Sequence, residues 1–368
     1  MNPILQKLLA VTGMTRRGDL VAATEAIQRT LAEATNLAPS RQFGAEAPTS
    51  KAAEDDVLDG MVREIDVIPI EPPPVADRLR TGRFGESTFT AAAGTRRFKL
   101  FEPAGFEGRR LPLLVMLHGC TQDPDDFAAG TRMNVLAQEQ GFLVLYPAQA
   151  PRSNAHKCWN WFLAGDQRRG QGEPALLAGM TRHVMATQPI DSDRVWVAGL
   201  SAGGAMAAIL AREYSDLFAA AGVHSGLPPG AAHDVVSAFS AMKSGGRPAP
   251  PASPDAGAPL IVFHGDADGT VNAQNGKLLV DAWLGAASTE ALRETSPAGV
   301  AGRPFTRTVY APAGTPGPSR AEHWVVHGAG HAWAGGDPAG SYTDSGGPDA
   351  SREMLRFFAE HPRRPAET

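Results

Sequence analysis

The 368-residue chain carries 34 Lys and Arg against 39 Asp and Glu, a net charge of −5, with 43% apolar and 20% charged residues. Such a length suits one large globular domain with a sizeable core plus tails, and the slight acidity offers no basic stripe for a polyanion, so nucleic acid is not expected as a partner. No apolar run approaches the ~20 residues that cross a bilayer; residues 1–14 hold Lys7 inside their apolar stretch and lack a small-residue cleavage site, so neither a membrane span nor a signal peptide is read and a cytoplasmic location is expected.

From 4 to 34 the residues Leu5, Leu8, Leu9, Val11, Leu20, Ala23, Ile27 and Leu31 recur at helical spacing, interrupted by Gly13 and Gly18. The periodicity predicts two short amphipathic helices in a segment spanning 1–35. Residues 36–83 lack periodicity and contain Pro39, Pro48 and Pro72-Pro73-Pro74, the composition of a tether. The body is expected over 84–361, with strands at 86–90 and 97–101 and an uninterrupted apolar run at 111–117 of the kind buried on both faces of a sheet. Next come a helix at 125–140, a strand at 142–146, a helix at 173–188, a strand at 194–199, a helix at 202–214 and a strand at 219–224. The pattern continues as strand 259–264, helix 272–283, strand 323–327 and helix 349–361. Alternation of this kind predicts an α/β fold, a mostly parallel central sheet with helices on both faces. Proline and glycine thicken at 228–259 and 297–318, which read as loops. The first is expected to be a flap beside the site, with Val235, Val236, Phe239 and Met242 forming a short helix whose apolar face turns toward substrate.

Gly199-Leu200-Ser201-Ala202-Gly203 follows the apolar strand Val195-Trp196-Val197-Ala198 and precedes an alanine-rich helix. Strand, tight glycine turn and helix in that order form the nucleophile elbow of the α/β-hydrolase fold, with Ser201 as the nucleophile. A serine hydroxyl needs a histidine base and a carboxylate to orient it, in the chain order Ser, acid, His. After the strand at 259–264 come Asp266 and Asp268. Asp268 sits further round the turn and is taken as the triad acid, while Asp266 lies close to the strand end and braces the turn. Of His323, His327 and His331, the last lies past a strand in a glycine-flanked loop before the final helix and is taken as the base. The oxyanion donors are expected to be the backbone N–H of Ala202, the residue after the nucleophile, and of Cys120 in the loop after the strand at 111–117. No carboxylate or cysteine cluster accompanies the histidines, so no metal or other cofactor is expected and water is the only cosubstrate. A bridge between Cys120 and Cys158 and a pair of free thiols are both open readings. Trp159 and Trp161 in Cys158-Trp159-Asn160-Trp161-Phe162, together with His118 at a strand end, are candidates to bind substrate, with core packing an equally open reading for each tryptophan and bordering the site without taking part another for His118.

On Leu117-His118-Gly119-Cys120-Thr121-Gln122, Cys158-Trp159-Asn160-Trp161-Phe162, Gly199-Leu200-Ser201-Ala202-Gly203-Gly204-Ala205-Met206, His264-Gly265-Asp266-Ala267-Asp268 and Gly330-His331, the chain resembles the esterase family of poly(3-hydroxybutyrate) depolymerases. That family is similar in turn to feruloyl and acetylxylan esterases. The resemblance covers about 84–358. It implies Ser201, Asp268 and His331 as the triad, Cys120 and Ala202 as the oxyanion hole, and tryptophans beside Cys158 at the acyl site. The helical segment at 1–35 resembles that of intracellular members, whereas secreted relatives suggest the other location. The expected activity is hydrolysis of hydroxyalkanoate oligomers or granule polymer. The alternatives are a feruloyl, acetylxylan or general aryl esterase and, in another class, a protein that binds polyhydroxyalkanoate granules or a partner.

Overall fold

The structure, a computed structural model, describes residues 81–249, 257–285, 289–296, 302–314 and 318–363. The expected helices at 1–35, and the tether at 36–83 except its last three residues, lie outside the described residues. The chain enters through the antiparallel hairpin β1 (Arg83–Ala91) and β2 (Gly94–Glu102), which turns at Gly94 with φ 130°. Then come β3 (Leu111–Leu117), helices α1 (Pro124–Thr131) and α2 (Met133–Gln140), β4 (Leu143–Pro147), α3 (Gly172–Thr187), β5 (Ile190–Leu200), α4 (Ala202–Glu213) and β6 (Ala220–His224). They are followed by α5 (Val235–Ser244), β7 (Leu260–Gly265), α6 (Gln274–Leu284), β8 (Thr289–Ser296), β9 (Phe305–Pro312), β10 (Ala321–Val326), the short strands β11 (Trp333–Ala334) and β12 (Thr343–Asp344), and α7 (Ala350–Glu360).

Ten strands form one sheet in the order β1-β2-β4-β3-β5-β6-β7-β10-β9-β8. From β4 to β10 every neighbouring pair is parallel, and the flanking strands β1, β2, β9 and β8 run antiparallel. The sheet is therefore mixed and largely parallel, with antiparallel edges that the alternation of helices and strands did not reveal. Strand residues divide by parity between its two faces, as a period of two requires. Leu113, Val115 and Leu117 join Val195, Val197, Met206 and Leu210 in one core, while Leu114 and Met116 join Trp196, Ala198, Phe263 and Phe358 in the other. All residues from Leu113 to Leu117 are fully buried, and each such side chain contributes about 1.5–3 kcal/mol of transfer free energy.

Two local expectations need correction. The helix expected at 125–140 is two helices, because Arg132 takes a left-handed conformation (φ 55°) that ends α1 and starts α2. The break lies where a distant loop docks: Gly130 O accepts the Asp337 N–H at 2.8 Å, and Gly130 packs against Gly340 with no room for a Cβ. Part of 297–318 is the strand β9, paired with β8 and β10. The short helix expected within 228–259 is α5, which opens with a capping box between Asp234 and Ser237.

Candidate active site

The order of the parallel strands reverses between β3 and β5, and a crevice opens at the carboxyl ends of such a pair. The register Leu117↔Gly199 brings the loop after β3 beside the turn after β5, and Leu200↔His224 sets the end of β6 next to them. Further along, Val326↔Gly265 aligns the ends of β10 and β7, from which His331 and Asp268 descend.

Ser201 sits at φ 58°, ψ −119°, a conformation that L-residues rarely adopt and that persists only where its surroundings enforce it. Here the Ser201 N–H donates to His224 O at 2.9 Å and its carbonyl accepts the Ala205 N–H. The flanking glycines are sterically required: a Cβ on Gly199 would overlap the Gly203 carbonyl, and one on Gly203 would overlap Leu117 O.

Asp268 Oδ2 lies 2.7 Å from His331 Nδ1, and its Oδ1 accepts the N–H groups of Thr270 (2.9 Å) and Val271 (2.8 Å). Burial pushes this carboxyl up, but the His331 hydrogen bond and charge, the Val271 N–H and His264 outweigh it and hold the group below the ordinary carboxylate value. Asp266 has its own imidazole: Oδ2 is 2.8 Å from His327 Nδ1, Oδ1 accepts the Gly328 N–H at 2.6 Å, and His327 Nε2 meets Thr306 Oγ1 at 2.9 Å. Ser201 and His331 line one cleft, although no hydrogen bond joins them among the described residues. Such contacts often tighten only when substrate binds.

The loop after β3 is fixed from several sides. Gln122, almost fully buried, accepts the Gly119 N–H through Oε1 (2.9 Å) and donates through Nε2 to Asp126 Oδ2 (2.9 Å) and Ser341 O (3.1 Å). Thr121, β-branched yet at φ 68°, donates its N–H to His156 O at 2.6 Å. Cys120 and Cys158 are bridged, which ties this loop to the aromatic segment opposite. The N–H groups of Cys120 and of Ala202, the first residue of α4, have no partner among the described residues and are free to face an oxyanion.

Two cavities meet at Ser201. One, of about 680 Å³ including its open mouth, is walled by Cys158, Trp161, Phe162, Leu227, Val235 and Phe239 among others. The second is bordered by Thr121, Gln122, Thr270, His331 and Tyr342. Trp161 is thus in the wall as expected, but Trp159 and His118 are not. Trp159 is fully buried and donates Nε1–H to His118 O at 3.1 Å. His118 Nε2 accepts the Gln149 N–H (3.1 Å), so Nδ1–H donates to Gly119 O (2.7 Å) and the ring supports the oxyanion loop from behind. Aromatic residues beside a site can face either cavity or core, and their spacing in the sequence does not distinguish the two.

Sequence reasoning also missed the buried network beneath the aromatic segment. Glu173 accepts the Asn160 N–H at 2.7 Å, Gln149 Nε2–H donates to Cys158 O at 2.9 Å, and Arg96 reaches Glu173 at 3.4 Å. Burial, reinforced by Asp166, pushes the Glu173 carboxyl up to about 7 against the hydrogen bonds from Gln149 and Asn160 and the Arg96 charge. Nothing in the local sequence marked these polar residues, because their partners come from four separate stretches.

Residues 96–295 match the family model described as esterase PHB depolymerase. The chain is 35% identical over 200 residues to poly(3-hydroxyalkanoate) depolymerase C of Paucimonas lemoignei, an alignment covering 51% of this chain and 48% of that one. It is 34% identical over 128 residues to feruloyl esterase B of Thermothelomyces thermophilus, covering 34% of this chain and 43% of the relative. The chain thus spans less than half the length of these curated relatives. An acetyl xylan esterase from Aspergillus awamori superimposes with a TM-score of 0.58 at 19% identity, over 75% of this chain and 99% of that one, a likeness of fold. With the α/β-hydrolase-like sheet and a family match over more than half of its residues, the chain belongs to the PHB depolymerase esterase family.

Proposed function

We propose that Ser201 is the nucleophile, His331 the general base and Asp268 the residue that orients the imidazole, in an acyl-enzyme mechanism. The observation that carries this reading is the strained Ser201 elbow opening on the same cleft as His331, whose far nitrogen meets Asp268 at 2.7 Å. With Nδ1–H given to Asp268, Nε2 is left as an acceptor for the serine proton. Ser201 Oγ attacks the ester carbonyl while its proton passes to His331, and the N–H groups of Cys120 and Ala202 take the developing oxyanion. Collapse expels the alcohol, which leaves with the proton from Nε2. Water then repeats the cycle and frees the acid.

Gln122 acts in this scheme as a positioning residue through Gly119. Gln122→Ala is expected to lower kcat about 10–100-fold with little change in KM, since loss of a whole oxyanion donor costs about 3–4 kcal/mol and a loosened one less. A change in KM alone, measured on a soluble aryl ester, would remove the oxyanion loop from this scheme.

The substrate we infer is a hydroxyalkanoate ester, as a short oligomer or amorphous polymer, supported by the family membership and by the largely apolar wall beside Ser201. A second reading, an aromatic acyl group of the feruloyl type, is favoured by Trp161 and Phe162, which meet edge to face in that wall with centroids 5.6 Å apart. On the first reading, kcat/KM for a 3-hydroxybutyrate trimer exceeds that for methyl ferulate at least tenfold. The reverse order selects the second. The Cys120–Cys158 bridge supports work in an oxidising compartment, in place of the cytoplasmic location expected from the sequence.

A further inference from the structure

The two cavities at Ser201 differ in one decisive respect: His331 lines only the second. In the mechanism above, on which this inference rests, the departing alcohol takes its proton from His331, so the alcohol part of the ester occupies that second cavity and the acyl part the apolar one. At the mouth of the alcohol side stands Tyr342, a large aromatic residue that is 45% exposed and held at φ 52°.

Its neighbours force it there. Ser341 N–H donates to Asp126 Oδ1 at 2.7 Å, Ser341 O accepts from Gln122 Nε2, and Tyr342 O accepts the Trp333 N–H at 2.7 Å. Gln122 is the side chain that also holds Gly119, so the Tyr342 loop and the oxyanion loop share one fastening. The Tyr342 hydroxyl lies 3.2 Å from Thr121 Oγ1, and Thr121 Oγ1–H donates to Cys120 O at 2.6 Å. A hydroxyl has one proton, so Thr121 is the acceptor in the first contact and Tyr342 the donor. That leaves the Tyr342 oxygen with acceptor capacity and the ring with an apolar face. Two non-glycine residues in the left-handed region, joined hydroxyl to hydroxyl beside the nucleophile, are a costly arrangement of the kind that clusters at ligand clamps.

We propose that Tyr342, braced by Thr121, is the specificity-determining residue for the alcohol part of the ester. It takes an alcohol that presents a C–H-rich face to the ring and a free hydroxyl to its oxygen. A sugar ring and a hydroxyacyl chain both have this chemistry.

The test uses acetate esters of one acyl group and three alcohols: methanol, methyl xyloside and methyl 3-hydroxybutyrate. The full chain is compared with Tyr342→Ala, Tyr342→Phe and Tyr342→Asn, the last because asparagine tolerates positive φ. In Tyr342→Ala and Tyr342→Asn the preference for a bulky alcohol over methanol, as a ratio of kcat/KM, is expected to fall at least tenfold. Tyr342→Phe, which keeps the ring, is expected to lose less. Whichever bulky ester shows the larger fall identifies the source, sugar or hydroxyacyl chain. An equal loss on all three esters, or none, overturns the proposal by reducing Tyr342 to a structural role. Labelling with a fluorophosphonate, whose serine adduct is not turned over, followed by mass spectrometry separates this from failure of the mechanism itself: an adduct on Ser201 with unaltered alcohol preference in the Tyr342 variants sinks the Tyr342 assignment alone, whereas labelling elsewhere than Ser201, or none, in the wild type sinks the nucleophile.

Discussion

Ser201→Ala and His331→Ala are each expected to lower ester kcat by about four to six orders of magnitude, because members of a triad act as a unit and removing one costs nearly as much as removing all. Asp268→Asn should cost about 10⁴-fold, since an amide there favours the wrong imidazole tautomer. Asp266→Asn is the informative control. It lies two residues away and also binds a histidine at 2.8 Å, but that histidine is His327, whose other nitrogen meets Thr306 and not the cleft. Its loss should stay below about tenfold, the effect of loosening a turn. The measurement is turnover of a soluble aryl ester, with circular dichroism to establish that each variant folds. A larger loss in Asp266→Asn than in Asp268→Asn would exchange the roles of the two pairs, and near wild-type turnover in Ser201→Ala would remove the nucleophile.

What the sequence conveyed and what it withheld follow from how far apart the interacting residues lie. The elbow is local: strand, glycine-flanked serine and helix occur within about twenty residues, and the steric demands on Gly199 and Gly203 leave a readable mark. The central strands were legible because burial on both faces imposes unbroken apolar runs, as at Leu111–Leu117. β8 was not, since its residues are mostly exposed and carry no core pattern. The left-handed break at Arg132 depends on Asp337 and Gly340, about two hundred residues away. The same distance hid Tyr342, whose position over the cleft is set by Asp126 and Gln122. His118 and Trp159 stand beside motif residues, yet their partners, Gln149 and the His118 carbonyl, turn them inward.

Acidification should destabilise this protein between pH 6.5 and 4 through buried histidines other than the proposed base His331. Burial lowers His118 to about 4, His224 to about 3 and His323 to about 4, from an ordinary value of 6.5. A folded-state value below the unfolded one means stability that is fully present above pH 6.5 and lost as the pH falls toward 4 and 3, because the unfolded chain binds the protons first. By pH 5 each imidazole has withdrawn about 2 kcal/mol. Glu173 runs the other way: raised to about 7, its burial destabilises the fold above that pH, and the cost is relieved as the pH falls toward 4.5. One carboxyl returns about 3 kcal/mol at pH 5 against about 6 withdrawn by three imidazoles, so the net loss is about 3 kcal/mol, which lowers but does not by itself exhaust a typical 5–15 kcal/mol stability. His323 isolates the effect, since its Nε2 has no partner and an apolar replacement leaves no donor stranded. Between pH 7.5 and 5, His323→Leu is expected to lose about 2 kcal/mol less unfolding free energy than the wild type, read from urea midpoints at each pH. Parallel losses in the two proteins would mean that His323 is protonated in the native state.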